Sequence, residues 1–231
     1  MRISAGSEPG NVIGKRFGSD HMTSGVPGIP AATQLRSGVA EFRKREARDA
    51  MYRVASFLVT EWWYTPRDLA DGIAVLLLTW NQAHYRYGPP SFDRFEEFLR
   101  RREQEFRDAR KCSILAAERH DRSLVQALFD EALVALEIAE GKAIGRRSPV
   151  AVAKALHLLA PDLFPLWDEK IAQAYGCQYR SAPALAYRRF MQSQRSVVSA
   201  RRATLTKLGG DKSVLKTLDE YNYARFTKGW V

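Results

Sequence analysis

From Val39 onward the apolar residues recur at helical spacing. Phe42, Ala47, Met51, Val54 and Leu58 mark one face of a helix running to about Glu61. Thr65-Pro66 is a helix start: Thr65 can accept from a free backbone N–H, and Pro66 lacks only a donor that the first turn leaves idle. The helix it opens, Leu69 to about Tyr85, is apolar nearly all round, which predicts a central, buried element. Gly88-Pro89-Pro90 ends it. Ser91 caps the next helix, Phe92 to about Phe106, with Phe92, Phe95, Phe98 and Leu99 on one face. Asp121 to Glu140 repeats the spacing through Leu124, Leu128, Ala132, Leu136 and Ala139. Gly141 to Arg147 reads as a basic loop, after which Ser148-Pro149 opens a helix through Leu159 that Ala160-Pro161 stops. Asp168 opens a short helix ending at Gly176, Ala182 to about Leu208 forms a long basic one, and Lys212 to Tyr223 forms the last. No alternating strand pattern, hairpin signal or internal repeat stands out. The expected fold class is all-α, a multi-helix orthogonal array rather than a simple bundle, because the connections vary in length.

Residues 1–38 lack this periodicity and are rich in Gly, Pro and Ser, so they read as a disordered leader ahead of one helical domain, 39–231. Gly18-Ser-Asp-His-Met22 reads as an expression-vector remnant, with a native start at Met22. The whole chain is 231 residues and 45% hydrophobic, enough for one substantial core or two small ones. Its formal net charge of +10 favours a polyanionic partner, nucleic acid first, because phosphates neutralised by Lys and Arg release counterions. A basic protein without that role is the plainer alternative. Cys112 and Cys177 form no cluster, and the four histidines, His21, His84, His120 and His157, show no ligand spacing. No metal, cofactor, membrane span or signal peptide is therefore expected, and a reducing cytoplasm is the default; the sequence leaves the oligomeric state open.

Three segments carry candidate chemistry. In the first, the apolar run from Val75 ends in Trp80, Asn81 and Gln82, with His84 and Tyr85 beyond. The two amides can read the edge of a base or merely satisfy nearby backbone groups. In the second, Arg146 and Arg147 precede a helix start at Ser148, with Lys154 one turn in. Free N–H groups there suit a phosphate, or the segment is a solvated loop before a capped helix. In the third, Pro161 and Pro165 fix a turn, Phe164, Leu166 and Trp167 form an apolar collar, and Asp168 follows. Asp168 is either a helix cap or a carboxylate prepared for catalysis.

Together these segments resemble the helix-hairpin-helix superfamily of DNA glycosylases, over about Asp68 to Gly176. Leu77-Leu78-Thr79-Trp80-Asn81-Gln82 looks like the family's leucine-leucine-serine-glutamine-glutamine type motif, and Phe164-Pro165-Leu166-Trp167-Asp168 like the segment that ends in its catalytic aspartate. The resemblance implies a hydrolase of DNA repair. A base would be flipped between the Gln82 and Asp168 segments, with Trp80, Asn81, Gln82, Tyr85, His157 and Trp167 as pocket residues. Asp168 would stabilise the oxocarbenium-like charge as the N-glycosidic bond breaks. Arg146, Arg147, Ser148 and Lys154 would contact the nucleic-acid backbone. Two departures stand out. Ile144-Gly-Arg-Arg-Ser-Pro149 keeps one glycine of the family's hairpin and lacks its Gly-x-Gly. The position of the family's lysine nucleophile falls on Val150, with Lys154 one helical turn later on about the same face, so a substitute nucleophile, a phosphate contact and neither role all remain open. The resemblance, if active, implies a monofunctional N-glycosylase.

His157 reads equally as a hydrogen-bonded core residue, and Asp219 and Glu220 read as helix surface. Arg188, Arg189, Arg195, Arg201, Arg202 and Lys207 lie on the long basic helix, where acids are nearly absent, and are expected to share one positive face with Arg146, Arg147 and Lys154. The aromatic tail Tyr221 to Trp230 is expected to dock on the core or to stack on bases. Three function classes follow: an N-glycosylase, a non-catalytic nucleic-acid-binding module, and an interaction protein whose basic face meets an acidic partner.

Overall fold

The structure is a computed structural model, and it describes residues 27–80, 91–119, 122–140, 143–178 and 180–231. Among these residues it is helical almost throughout. The helices are α1 (Ala32–Arg45), α2 (Asp49–Glu61), α3 (Pro66–Trp80), α4 (Asp93–Arg101), α5 (Glu103–Arg110), α6 (Arg122–Leu136), α7 (Pro149–Leu159), α8 (Glu169–Ala174), α9 (Pro183–Gly209) and α10 (Val214–Asn222). A 3-10 turn spans Ile114–Arg119, and a π-helical turn, Tyr223–Thr227, continues α10. None of the described helices is long and apolar enough to cross a membrane.

The expectation of no strand fails in one place. Ala139–Glu140 pairs antiparallel with Ala143–Arg147, so the predicted basic loop is half of a two-stranded ribbon. Two other boundaries move for local reasons. The helix expected over 39–61 is two helices, because Glu46 leaves the helical region and its side chain accepts the Arg48 backbone N–H at 3.1 Å. The helix expected over 92–106 breaks at Arg102, whose backbone (φ −105°, ψ 21°) is non-helical. The leader boundary is also corrected: α1 begins at Ala32, since Leu35, like Val39 and Phe42, is buried. Residues 1–26 lie outside the described part of the chain.

Two apolar clusters organise the packing. The larger joins α2 through α8 to the first half of α9, and α7 is buried along nearly its whole length, Pro149, Val152, Leu156 and Leu159 among its residues. The smaller joins α1, the end of α9 and α10. There α1 approaches α10 at Gly38. A Cβ at that position would lie 2.6 Å from a Tyr221 ring carbon and 3.3 Å from the Tyr221 Cα, so a side chain is excluded by packing. The aromatic tail folds back over this junction. Tyr223 meets Phe42 edge-on at 5.7 Å, Phe226 meets Tyr175 at 5.7 Å, and Trp230 meets Tyr223 at 6.1 Å. Docking is thus the role the tail takes, and it builds one wall of the site.

Candidate active site

The link from α7 to α8 is pinned at three points. The Pro165 carbonyl accepts from the buried Tyr187 hydroxyl at 2.7 Å. Trp167 Nε1 donates to the Pro149 carbonyl at 3.2 Å, and its ring packs on Phe129, Tyr187 and Phe190 with centroids 5.1–6.2 Å away. The Phe164 carbonyl accepts from His157 Nδ1 at 2.7 Å. A link so fixed delivers Asp168 to the N-cap of α8, where one carboxylate oxygen accepts the Ile171 N–H at 2.8 Å. The other oxygen accepts the Thr227 hydroxyl from the C-terminal turn. Asp168 is a cap, as its local sequence indicates, and it also faces a cavity.

That cavity has a volume of about 230 Å³. Asp168, Trp80, Lys154, Trp167 and Asp219 all line it, and Arg48, Glu46, Tyr223 and Thr227 complete its closing wall. It lies below the roughly 300 Å³ at which drug-sized pockets begin and suits a group no larger than a single base or sugar. Arg48 braces the closing side: its Nε and Nη2 grip Glu46 at 2.8 and 2.9 Å, and Nη2 donates to the Tyr223 hydroxyl at 2.6 Å. The hydrogen bond from Arg48 holds the Glu46 carboxyl down at about 2.

Lys154 is the unusual group. Its Nζ lies 4.7 Å from the centroid of the Trp80 ring and has no hydrogen bond or ion pair among the described residues. Burial pushes the ammonium down to about 8, against the opposing pull of Asp168 and Asp219. The free amine is therefore still the minor form at neutral pH, but far more populated than in an ordinary lysine. Trp80 Nε1 is also buried without a partner among the described residues.

Lys216, the other lysine nearby, is the opposite case. It is fully buried between Asp219 at 3.2 Å and Asp49 at 3.3 Å, and over the rings of Phe42 and Tyr52. Burial disfavours its charge, yet Asp219, Asp49 and Glu220 hold it above its ordinary value. Lys212 joins the network by bridging Asp49 at 2.9 Å and Glu220 at 2.6 Å, and Arg43 completes it at 2.9 Å from Glu220. The reading of Asp219 and Glu220 as helix surface is corrected here: both are buried, because α10 is enclosed on all sides from Leu215 to Asn222.

Three further sequence readings are corrected. His157 does not line the cavity. It is fully buried, its Nδ1–H donates to Phe164, and its Nε2 must then accept from the Tyr52 hydroxyl, 2.9 Å away. Ser148 is not a phosphate contact: it is 7% exposed and its hydroxyl caps α7 by accepting the Ala151 N–H. Lys154 faces the cavity rather than an open backbone-binding surface. Arg147 is exposed at the end of the ribbon, and Arg146 belongs to the same strand. On α9, Arg189, Arg202 and Lys207 are exposed, whereas Arg188 donates to Gln126 and Arg201 to the Pro30 carbonyl. Asn81, Gln82 and Tyr85 lie outside the described residues. Among those described, no group of His, Cys, Asp or Glu side chains is disposed to hold a metal ion.

The His157 arrangement makes a pH prediction. Burial pushes its imidazole down to about 3, whereas the unfolded chain takes up that proton near 6.5. Below pH 6.5 the unfolded state therefore binds more protons, and acid erodes stability through this residue down to about pH 3. His157→Leu should be less stable than wild type at pH 7. That deficit should shrink by roughly 1.4 kcal/mol for each pH unit below the onset, read from urea midpoints. A deficit independent of pH would show that His157 is not held neutral.

Compared with protein-family models, with curated proteins and with solved structures, the chain returns no significant match.

Proposed function

We propose that this chain is a nucleic-acid N-glycosylase in which Lys154 is the nucleophile and Asp168 the charge-stabilising carboxylate. The observation that carries the reading is the meeting of these two groups in one small cavity under the Trp80 ring. Lys154 departs from the monofunctional expectation drawn from sequence. An amine with a lowered pKa and no committed anion is a prepared nucleophile, while a lysine serving only structure is paired as Lys216 is. In the reaction, the N-glycosidic bond breaks with its electron pair leaving on the base. The Lys154 nitrogen bonds to the sugar C1′, and opening of the sugar ring gives an imine. Asp168, fixed by the Ile171 N–H and the Thr227 hydroxyl, stabilises the positive charge that develops on the sugar. Trp80 offers an aromatic face to an extruded base. Exposed Arg147, Arg189, Arg202 and Lys207 are available to phosphates.

The test is base release from duplexes carrying single 8-oxoguanine, hypoxanthine, uracil or 7-methylguanine lesions. Release followed by strand scission is expected on at least one. Asp168→Asn keeps an oxygen to accept the Ile171 N–H but loses the charge. It should slow release by about 100-fold or more, at a stability cost of about 1 kcal/mol or less. Equal rates in the variant would reduce Asp168 to a cap. Salt-dependent DNA binding with no release on any duplex would leave the non-catalytic binding module, and no binding at all would remove nucleic acid as the partner.

A further inference from the structure

The cavity contains a second carboxylate that the reading above does not use. Asp219 enters it from α10, and its side chain is 11% exposed. One of its oxygens accepts from Lys216 Nζ at 3.2 Å, and the other accepts no hydrogen bond among the described residues. Asp168, by contrast, has a donor on each oxygen. Two carboxylates facing one small cavity repel each other, and Asp219, with one donor against two, is the less stabilised as an anion. The groups around Asp219 act in both directions. Lys216 on its own helix and Lys154 on α7 favour its charge, while burial, Asp168 on the α7–α8 link and Glu220 oppose it. Burial wins, and the carboxyl rises to about 6.

We propose that Asp219 is the acid–base group of this cavity, shuttling a proton from the Lys154 amine to the departing base. The proposal rests on the N-glycosylase reading and adds to it the residue that moves the proton. The steps balance. As the glycosidic bond breaks, the electron pair arriving on the base nitrogen takes the Asp219 carboxyl proton. Attack by neutral Lys154 on C1′ leaves a secondary ammonium, and the Asp219 carboxylate accepts its proton. The carboxyl is thereby restored, and no outside acid or base is consumed. Lys216 is the positioning residue, since it holds one oxygen of Asp219 at 3.2 Å.

This scheme needs Asp219 protonated while Lys154 is neutral. Release of a base that requires a proton should therefore follow a bell-shaped pH profile with its maximum between about 6 and 8. The experiment uses the full chain with three duplexes: one carrying hypoxanthine, one carrying 7-methylguanine, and one carrying a preformed abasic site. 7-Methylguanine is already cationic and leaves as a neutral base without taking a proton; the abasic site has no base to lose. Asp219→Asn should slow hypoxanthine release by about 100-fold, within the usual range for losing a general acid. It should slow 7-methylguanine release and borohydride trapping on the abasic site by no more than a few-fold, because there only the proton of the Lys154 adduct has to move and an ammonium proton can pass to water without a fixed base; that contrast shows that the cavity is intact. If Asp219→Asn does not fold, Asp219→Glu and the wild-type profile decide. The wild-type limb falling above about pH 8 for hypoxanthine should be missing for 7-methylguanine, which needs only the neutral amine. Uniform slowing of all three reactions, or a wild-type profile without that limb, overturns the shuttle and leaves Lys154 and Asp168 in their roles. A wild-type protein that neither releases a base nor traps an abasic site overturns both.

Discussion

Lys154→Gln is expected to abolish covalent capture of an abasic site and to remove strand scission altogether, while leaving the protein as stable as wild type to within about 1 kcal/mol. The activity loss follows because the amide nitrogen of Gln carries no available lone pair, so no C–N bond to the sugar can form. Little loss of stability is expected because the ammonium has no hydrogen-bonded anion among the described residues to leave behind. Asp168 keeps the Ile171 N–H and the Thr227 hydroxyl, and Asp219 keeps Lys216. Burial already works against the Lys154 charge, so a neutral side chain of similar length relieves that cost. A variant that still traps the sugar would move the nucleophile elsewhere. One that unfolds would make Lys154 structural.

Lys216→Met should behave in the reverse way, with the largest expected effect on stability. The methionine fills a similar volume and can rest against Phe42 and Tyr52, whose rings now lie under the ammonium. Among the described residues, it leaves Asp219 without a hydrogen-bond donor and leaves Asp49 paired with Lys212 alone. Breaking a buried ion pair by removing one partner costs about 3–5 kcal/mol, which is a large fraction of the stability of an ordinary domain. The urea midpoint should fall accordingly at pH 7.5. Adding Asp219→Asn to Lys216→Met should recover part of the loss, because an uncharged amide is far less costly to bury without a cation. A midpoint change worth less than 1 kcal/mol would mean that the network is not closed in solution.

Much of this arrangement is legible in the chain because it is local. Ser148-Pro149 and Asp168 announce their helices through side chains that reach the third residue of the same helix, and both do so in the structure. The apolar character of α3 marks it as buried before any contact is known. What the sequence hides is non-local. The ribbon at 139–147 depends on pairing between two segments that carry no strand pattern. Thr227 bonds a carboxylate 59 residues away, and Arg48 reaches Tyr223 across 175 residues. The sharpest misreading, of Asp219 and Glu220 as surface, has a stated cause. Acidic residues near a C-terminus are normally solvated, but here Lys212, Lys216 and Arg43 neutralise them as α10 is enclosed. Sequence did hold a signal for this: Lys216 stands three and four residues before Asp219 and Glu220, with Lys212 one turn earlier, at helical pairing distance around Leu215 and Leu218.

The central claim is that the Lys154 amine, held beside Asp168, attacks the sugar. Borohydride reduction of a mixture of the protein and an abasic-site duplex, followed by peptide mass spectrometry, tests it directly. The account predicts a covalent protein–DNA complex whose sugar adduct maps to Lys154, and no such complex with Lys154→Gln. An adduct on another lysine, or no adduct in wild-type protein that binds the duplex, would contradict it.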